Sequence, residues 1–351
     1  MTARPTFRLL LQTALLVGVV SCAPIGADLE PTVEVFDGLT MGTSYSVRVV
    51  AETGWEPDRR ARVGARIQGV LDATESAMSH YQPTSELSRF NRNRTTEPFY
   101  VSRETFEVMR LALDLSAQTG GALDVTVGPL VNAWGFGPDE PMQLPPDADL
   151  LGRLRSHVGF EKIELDPVAS TLRKTDPELE CDLSAVAKGY GVDQVAAALA
   201  DEGETRFMVE VGGEIVASGL NQQGRPWRIG IERPSADGGI EQVVPLSDRA
   251  MATSGDYHIV REFDGRFVSH TINPHTGWPV EHQLAAVTVI ADECVVADGL
   301  ATALEVLGPE EGYALASERG WAALFLVRDD DGTITAHATA AFELLGSYNG
   351  N

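Results

Sequence analysis

Basic residues are scarce in this chain. Its 27 lysines and arginines face 51 aspartates and glutamates, a formal net charge of −24 over 351 residues. So acidic a surface repels nucleic-acid phosphates and anionic lipid heads, which sets nucleic-acid binding aside. Cysteine is nearly missing: Cys22, Cys181 and Cys294 are the only ones. Cys181 and Cys294 are too few for a structural metal quartet, and their separation leaves open whether they pair. The chain also lacks a GxSxG elbow, a GxGxxG fingerprint and an HExxH pair, which argues against common hydrolase, Rossmann and zinc-protease readings. It has no internal repeat and no low-complexity segment. With 43% hydrophobic residues, it can still bury a sizeable core.

The N-terminus has a processing signature. Arg4 and Arg8 precede an apolar run from Leu9 to Val20 that is too short to span a bilayer comfortably. Val19-Val20-Ser21-Cys22 follows and is similar to a bacterial lipobox, with Val19 in place of the usual Leu. Residues 1–21 are therefore expected to be a signal peptide. Cys22 would be the lipidated residue, 22–33 a tether, and 34–345 one folded domain. The mature protein would be exported and membrane-anchored, facing the periplasm or the cell exterior, with a charge of −26 once Arg4 and Arg8 are gone.

Alternation at 33–36 and 44–50 predicts paired strands around a Gly38/Gly42 turn. Apolar residues at helical spacing predict helices over 58–79, 102–119, 184–200, 296–306 and 309–319. Ser102 is a plausible cap, and Gly120-Gly121 a stop. Strand-like runs cover 206–211, 214–219, 227–232, 250–254, 257–262, 285–291, 321–327 and 333–337. Asp139-Glu140-Pro141 and Pro145-Pro146 mark a surface excursion. Helices and strands come in blocks, which predicts an α+β fold rather than a doubly wound sheet.

Four segments carry chemistry. In Asp182 to Asp193, Asp182 and Ser184 can cap a helix whose N-terminal end attracts an anion, and Lys188 lies one turn in. Asp298 and Thr302 stand four apart, so a helix would stack a carboxylate and a hydroxyl on one face, a pair of hard ligands suited to Mg²⁺. Gly212-Gly213 is either a tight hairpin or a place where backbone meets a ligand closely. His270 ends an apolar run just before Asn273-Pro274-His275-Thr276-Gly277, a turn rigid enough to hold a proton-transfer group.

In order along the chain, these and further blocks resemble the ApbE family of FAD:protein FMN transferases. The blocks are Met41-Gly42-Thr43, Met78-Ser79-His80-Tyr81, Ser85 to Asn91, Gly121 to Thr126, Asp182 to Asp193, Gly212-Gly213-Glu214, Ala252 to Tyr257, Ser269 to Pro279 and Ala297 to Thr302. The resemblance implies largely antiparallel mixed sheets packed with helices and no Rossmann unit. It implies Mg²⁺-dependent transfer of FMN from FAD to a threonine hydroxyl of a flavin-accepting redox subunit, releasing AMP. It further implies Mg²⁺ held by Asp298, Thr302 and the Ala185 carbonyl. FAD would meet Met41, Tyr81, Ala122, Leu123, Asp124, Asp182, Lys188 and Ile272. His270 would be the catalytic base, with the metal or a nearby carboxylate such as Asp256 as alternatives. Two other activities fit the same residues: FAD hydrolysis to FMN and AMP, and FAD binding without catalysis.

Overall fold

The computed structural model describes residues 31–139, 144–235, 238–255, 260–263 and 266–346. The signal segment, Cys22, most of the tether and Asp256 lie outside them. The first elements are β1 (Thr32–Thr40) and β2 (Thr43–Ala51), joined by Met41-Gly42 with φ of 45° and 74°. Two successive positive φ values make the hairpin turn that follows strand twist. Gly38 is not part of that turn. It lies inside β1 opposite Tyr45, whose ring comes within 2.5 Å of where a Cβ would stand.

Helix α1 (Pro57–Met78) buries Val63, Ile67, Leu71, Thr74 and Met78, a 3–4 spacing that puts them on one face. Helices α2 (Glu86–Arg92) and α3 (Arg103–Gln118) flank the short β3 (Phe99–Tyr100). Ser85 and Ser102 cap the two helices by accepting from the Ser88 and Thr105 amides. The loop after α3 carries α4 (Gly128–Ala133) and α5 (Ala148–Arg155), neither of them anticipated. Strands β4 (Ile163–Asp166) and β5 (Thr171–Lys174) join β3 in a small sheet.

Helix α6 (Ser184–Asp201) leads to the hairpin of β6 (Phe207–Val211) and β7 (Glu214–Ser218). Gly212 and Gly213 close it with positive φ as a tight hairpin. Strands β8 (Trp227–Glu232) and β9 (Ile240–Leu246) pair with each other, as do β11 (Val260–Phe263) and β12 (Arg266–Ser269). The remaining elements are β10 (Arg249–Gly255), β13 (Leu284–Ala291), α7 (Cys294–Arg319), β14 (Ala322–Arg328), β15 (Ile334–Ala338) and α8 (Ala340–Gly346).

The main sheet runs β1-β2-β6-β7-β10-β13-β14-β15 with every neighbour antiparallel. This is the α+β architecture the blocks implied. Val287, Val289, Ala323 and Phe325 face the core shared with α3, α6 and α7. Ala286, Ile290, Ala322, Leu324 and Leu326 face the opposite core, under β8–β9 and Phe342 of α8. Burial on both faces explains why β13 and β14 read as continuous apolar runs rather than alternating ones.

Two features of α7 position the site. At Gly308 the backbone leaves the helix (φ 78°, ψ −176°), so the expected helices over 296–306 and 309–319 are the two halves of α7. Pro309 has no N–H for the Glu305 carbonyl, and His282 Nε2–H donates to that oxygen instead at 2.5 Å. The N-terminus of α7 is capped from another helix. Asp193 of α6 accepts from the Cys294 and Val295 amides, both at 2.9 Å. Cys181 and Cys294 are both buried free thiols, so they do not pair.

Candidate active site

Helices α6 and α7 cross in backbone contact. A Cβ on Gly189 would lie 2.5 Å from the Cys294 carbonyl oxygen, and one on Gly299 would lie 3.2 Å from Val186 Cγ1 of α6 and 2.7 Å from Leu115 Cδ1 of α3. Only glycine permits this approach, and it delivers Asp298 of α7 to the first turns of α6. The Gly189 N–H donates to Asp298 Oδ2 at 2.9 Å. In a regular helix that N–H serves the Ala185 carbonyl, so sharing it with Asp298 loosens its hold on that oxygen. Thr302, one turn after Asp298, has its hydroxyl 3.3 Å from Ser254 of β10.

Lys188 lies between two buried carboxylates. Its Nζ is paired with Glu214 Oε1 at the start of β7, and Asp298 lies close enough to act on its charge. Burial penalises the ammonium, but Asp298 and then Glu214 outweigh it and hold the lysine pKa above its usual value. Burial raises the pKa of both acids, and Lys188 partly offsets this. Glu214 is 2% exposed and its second oxygen, Oε2, has no hydrogen-bond partner among the described residues. Two buried carboxylates share one lysine, and burial favours keeping a proton on them. A hard cation takes carboxylate and hydroxyl oxygens and would displace that proton, so the residues fit Mg²⁺.

A second group meets at the N-terminal end of α6. Asp182 Oδ1 accepts from the Ser184 amide at 2.8 Å, so Asp182 rather than the exposed Ser184 satisfies that turn. The same oxygen is 3.2 Å from His80 Nδ1. Tyr81 packs on His80 with ring centroids 4.3 Å apart, and its hydroxyl donates to the Phe136 carbonyl at 2.6 Å. The Phe136 ring stands edge-on to His270 at 6.4 Å. The His270 loop is rigid as anticipated. Asn273 Oδ1 accepts from the His275 and Thr276 amides, Gly277 takes φ of 78°, and Trp134 Nε1 donates to the Gly277 carbonyl at 2.9 Å.

The family model of the ApbE family matches residues 41–325. The chain belongs to the ApbE family. It is 42% identical over 331 residues to a FAD:protein FMN transferase of Vibrio cholerae, covering 93% of this chain and 97% of that one. Two solved structures are similar as well. The flavin transferase ApbE from Vibrio cholerae has a TM-score of 0.82 at 41% identity, covering 90% of this chain and 99% of that one. The Pseudomonas stutzeri flavinyl transferase ApbE, apo form, has a TM-score of 0.82 at 37% identity, covering 91% and 98%.

The ApbE fold gathers the sequence-marked residues unevenly. Ala185, Lys188, Asp298 and Thr302 converge, as do Tyr81 and Asp182 around His80, with His270 joined to them only through Phe136. Met41 packs at the edge of the first group, its methyl reaching Gly191 of α6. Ala122, Leu123 and Ile272 bury their side chains in the cores. The Asp124 carboxylate is filled by the Thr126 amide and hydroxyl and the Phe160 amide. Glu214, Ser254 and His80 escaped the sequence reading as site residues, although each lies in a block already marked. Their type was visible, but their facing partners were not. Two cavities, of about 640 and 690 Å³, lie elsewhere and are not lined by Asp182, His270, Asp298 or Thr302.

Proposed function

We propose that the protein transfers FMN from FAD to a threonine hydroxyl of an acceptor protein, releasing AMP. The observation that carries this reading is Lys188, held between Glu214 and Asp298 at the first turns of α6. Its charge is already matched by those carboxylates, so a hard cation held by Asp298 beside Lys188 would supply the positive charge that a pyrophosphate needs in a chain of charge −24. The names of the similar proteins support the same activity.

In this reading Lys188 holds the pyrophosphate, while Tyr81 and Asp182 meet the ring systems or sugars of the dinucleotide. The acceptor hydroxyl oxygen bonds to the FMN phosphorus as the bond from that phosphorus to the AMP oxygen breaks. The hydroxyl proton passes to His270, whose loop is anchored by Asn273 and Trp134. Asp298, the Thr302 hydroxyl and the Ala185 carbonyl would hold Mg²⁺, which supplies neutralisation of the charge that develops on AMP.

The test incubates the purified protein with FAD, Mg²⁺ and a peptide bearing a candidate threonine, followed by mass spectrometry. FMN on the threonine with stoichiometric AMP is the expected result. Free FMN with AMP would identify a hydrolase, and unchanged FAD a binding protein. The same reading has the chain exported and anchored through Cys22. Fatty-acid labelling that disappears in Cys22→Ser would support this, and unchanged labelling would refute it.

A further inference from the structure

We infer that His80 is a positioning residue for Asp182, aiming one of its oxygens at an N–H or O–H donor of the bound dinucleotide. The two residues are far apart in sequence, yet His80 Nδ1 lies 3.2 Å from Asp182 Oδ1, with 10% of either side chain exposed. The contact is one of charge and proximity, with Oδ1 the oxygen turned toward the ring. Oδ1 also takes the Ser184 amide. Oδ2 takes no hydrogen bond from the described residues, which leaves it as the one open acceptor of Asp182. The charge of Asp182, after burial, raises the Tyr81 pKa, so the carboxylate faces the same space as that half-exposed ring.

The surroundings are built to hold this geometry. The Ser88 hydroxyl donates to the His80 carbonyl at 3.2 Å, and the Ser85 hydroxyl to the Ser79 carbonyl at 2.5 Å. On the other side the Asp182 amide donates to Val125 O at 2.7 Å, while the Asn91 side chain bonds both the amide and the carbonyl of Cys181. Backbone on both sides is thus clamped before the two side chains meet. The other ring nitrogen, Nε2, is buried and has no partner among the described residues. The observed arrangement uses one ring nitrogen for aim and leaves the other idle.

The inference rests on Asp182 being a dinucleotide contact, and the experiment separates the two. FAD dissociation constants and FMN-transfer kinetics are measured for the wild type and for His80→Asn, His80→Gln and His80→Leu, with thermal melting to confirm folding. Asparagine can present an N–H where Nδ1 stood, and glutamine presents one near Nε2. Expected are wild-type-like binding for His80→Asn within about threefold, and about tenfold weaker FAD binding for the Gln and Leu variants. The rate at saturating FAD should change little. In an Asp182→Asn background the effect of His80→Leu should vanish. Equal binding by all variants would overturn the role of His80, and so would rescue by Gln but not Asn. Failure of the wild type to bind FAD, or unchanged binding by Asp182→Asn, would instead refute the flavin-site reading.

Discussion

Gly189→Ala should separate the two helices that make the site. The new methyl would stand 2.5 Å from the Cys294 carbonyl oxygen, 2.7 Å from its carbon and 2.8 Å from Val295 Cα. All three atoms are backbone and cannot turn aside. Ordinary contact begins near 3.4 Å, so α6 and α7 must part by roughly 0.9 Å. Overpacking of this kind costs about 1–3 kcal/mol, and disturbing the amide bond to the Asp298 carboxylate about 1.5–3 kcal/mol. Alanine's better helix propensity returns about 1 kcal/mol. The net destabilisation is then about 3 kcal/mol, a large share of a typical folding free energy. Gly191→Ala is the control, because its Cβ meets only the flexible Met41 methyl, at 2.8 Å. It should change stability by less than about 1 kcal/mol. Urea unfolding of both variants with unchanged m-values gives the comparison, and Mg²⁺-dependent FMN transfer reports the Asp298 position. If Gly189→Ala is as stable and active as Gly191→Ala, the backbone crossing is not what places Asp298.

Three further outcomes follow from particular contacts. Asp298→Asn keeps the shape but removes the charge, so FMN transfer should fall at least about a hundredfold and lose its response to Mg²⁺ titration. His282→Ala should cost about 1–3 kcal/mol in urea unfolding by orphaning the Glu305 carbonyl at the Pro309 break, and His282→Gln should recover part of it. Glu86 Oε2 accepts from the Ser102 amide and hydroxyl and the Thr105 hydroxyl. Burial alone would raise its pKa, but these bonds and Arg89 bring it below the ordinary 4.5. A depressed carboxyl contributes stability above its unfolded value and loses it as pH falls through the lower folded one. Glu86→Gln should therefore be less stable than wild type by about 1–3 kcal/mol at neutral pH, with the gap closing only below pH 4.5. A gap that is constant with pH would show that packing, not charge, matters there.

Local chemistry was readable from the chain alone. Helix periods over 58–79 and 102–119, the serine cap at 102 and the Gly-Pro break between the halves of α7 act within four residues, so they need no knowledge of the fold. The exceptions are instructive. Gly38 looked like turn punctuation but makes room for the Tyr45 ring across the hairpin, a contact set by strand register. The short α4 and α5 have too few turns to show a period. Sequence also supplied the residue types of the site, since Asp298, Thr302, Lys188, Asp182 and His270 all lie in recognisable blocks. Tertiary structure alone decided what each one faces. Lys188 meets Glu214 because α6 packs on the β6–β7 hairpin. Asp298 meets the Gly189 amide because Gly189 lets α6 and α7 touch, and His80 meets Asp182 because α2 clamps both backbones, one through Ser88 and the other through Asn91. Charge and hydrogen bonding act at contact distance, and only packing decides which distant residues come into contact.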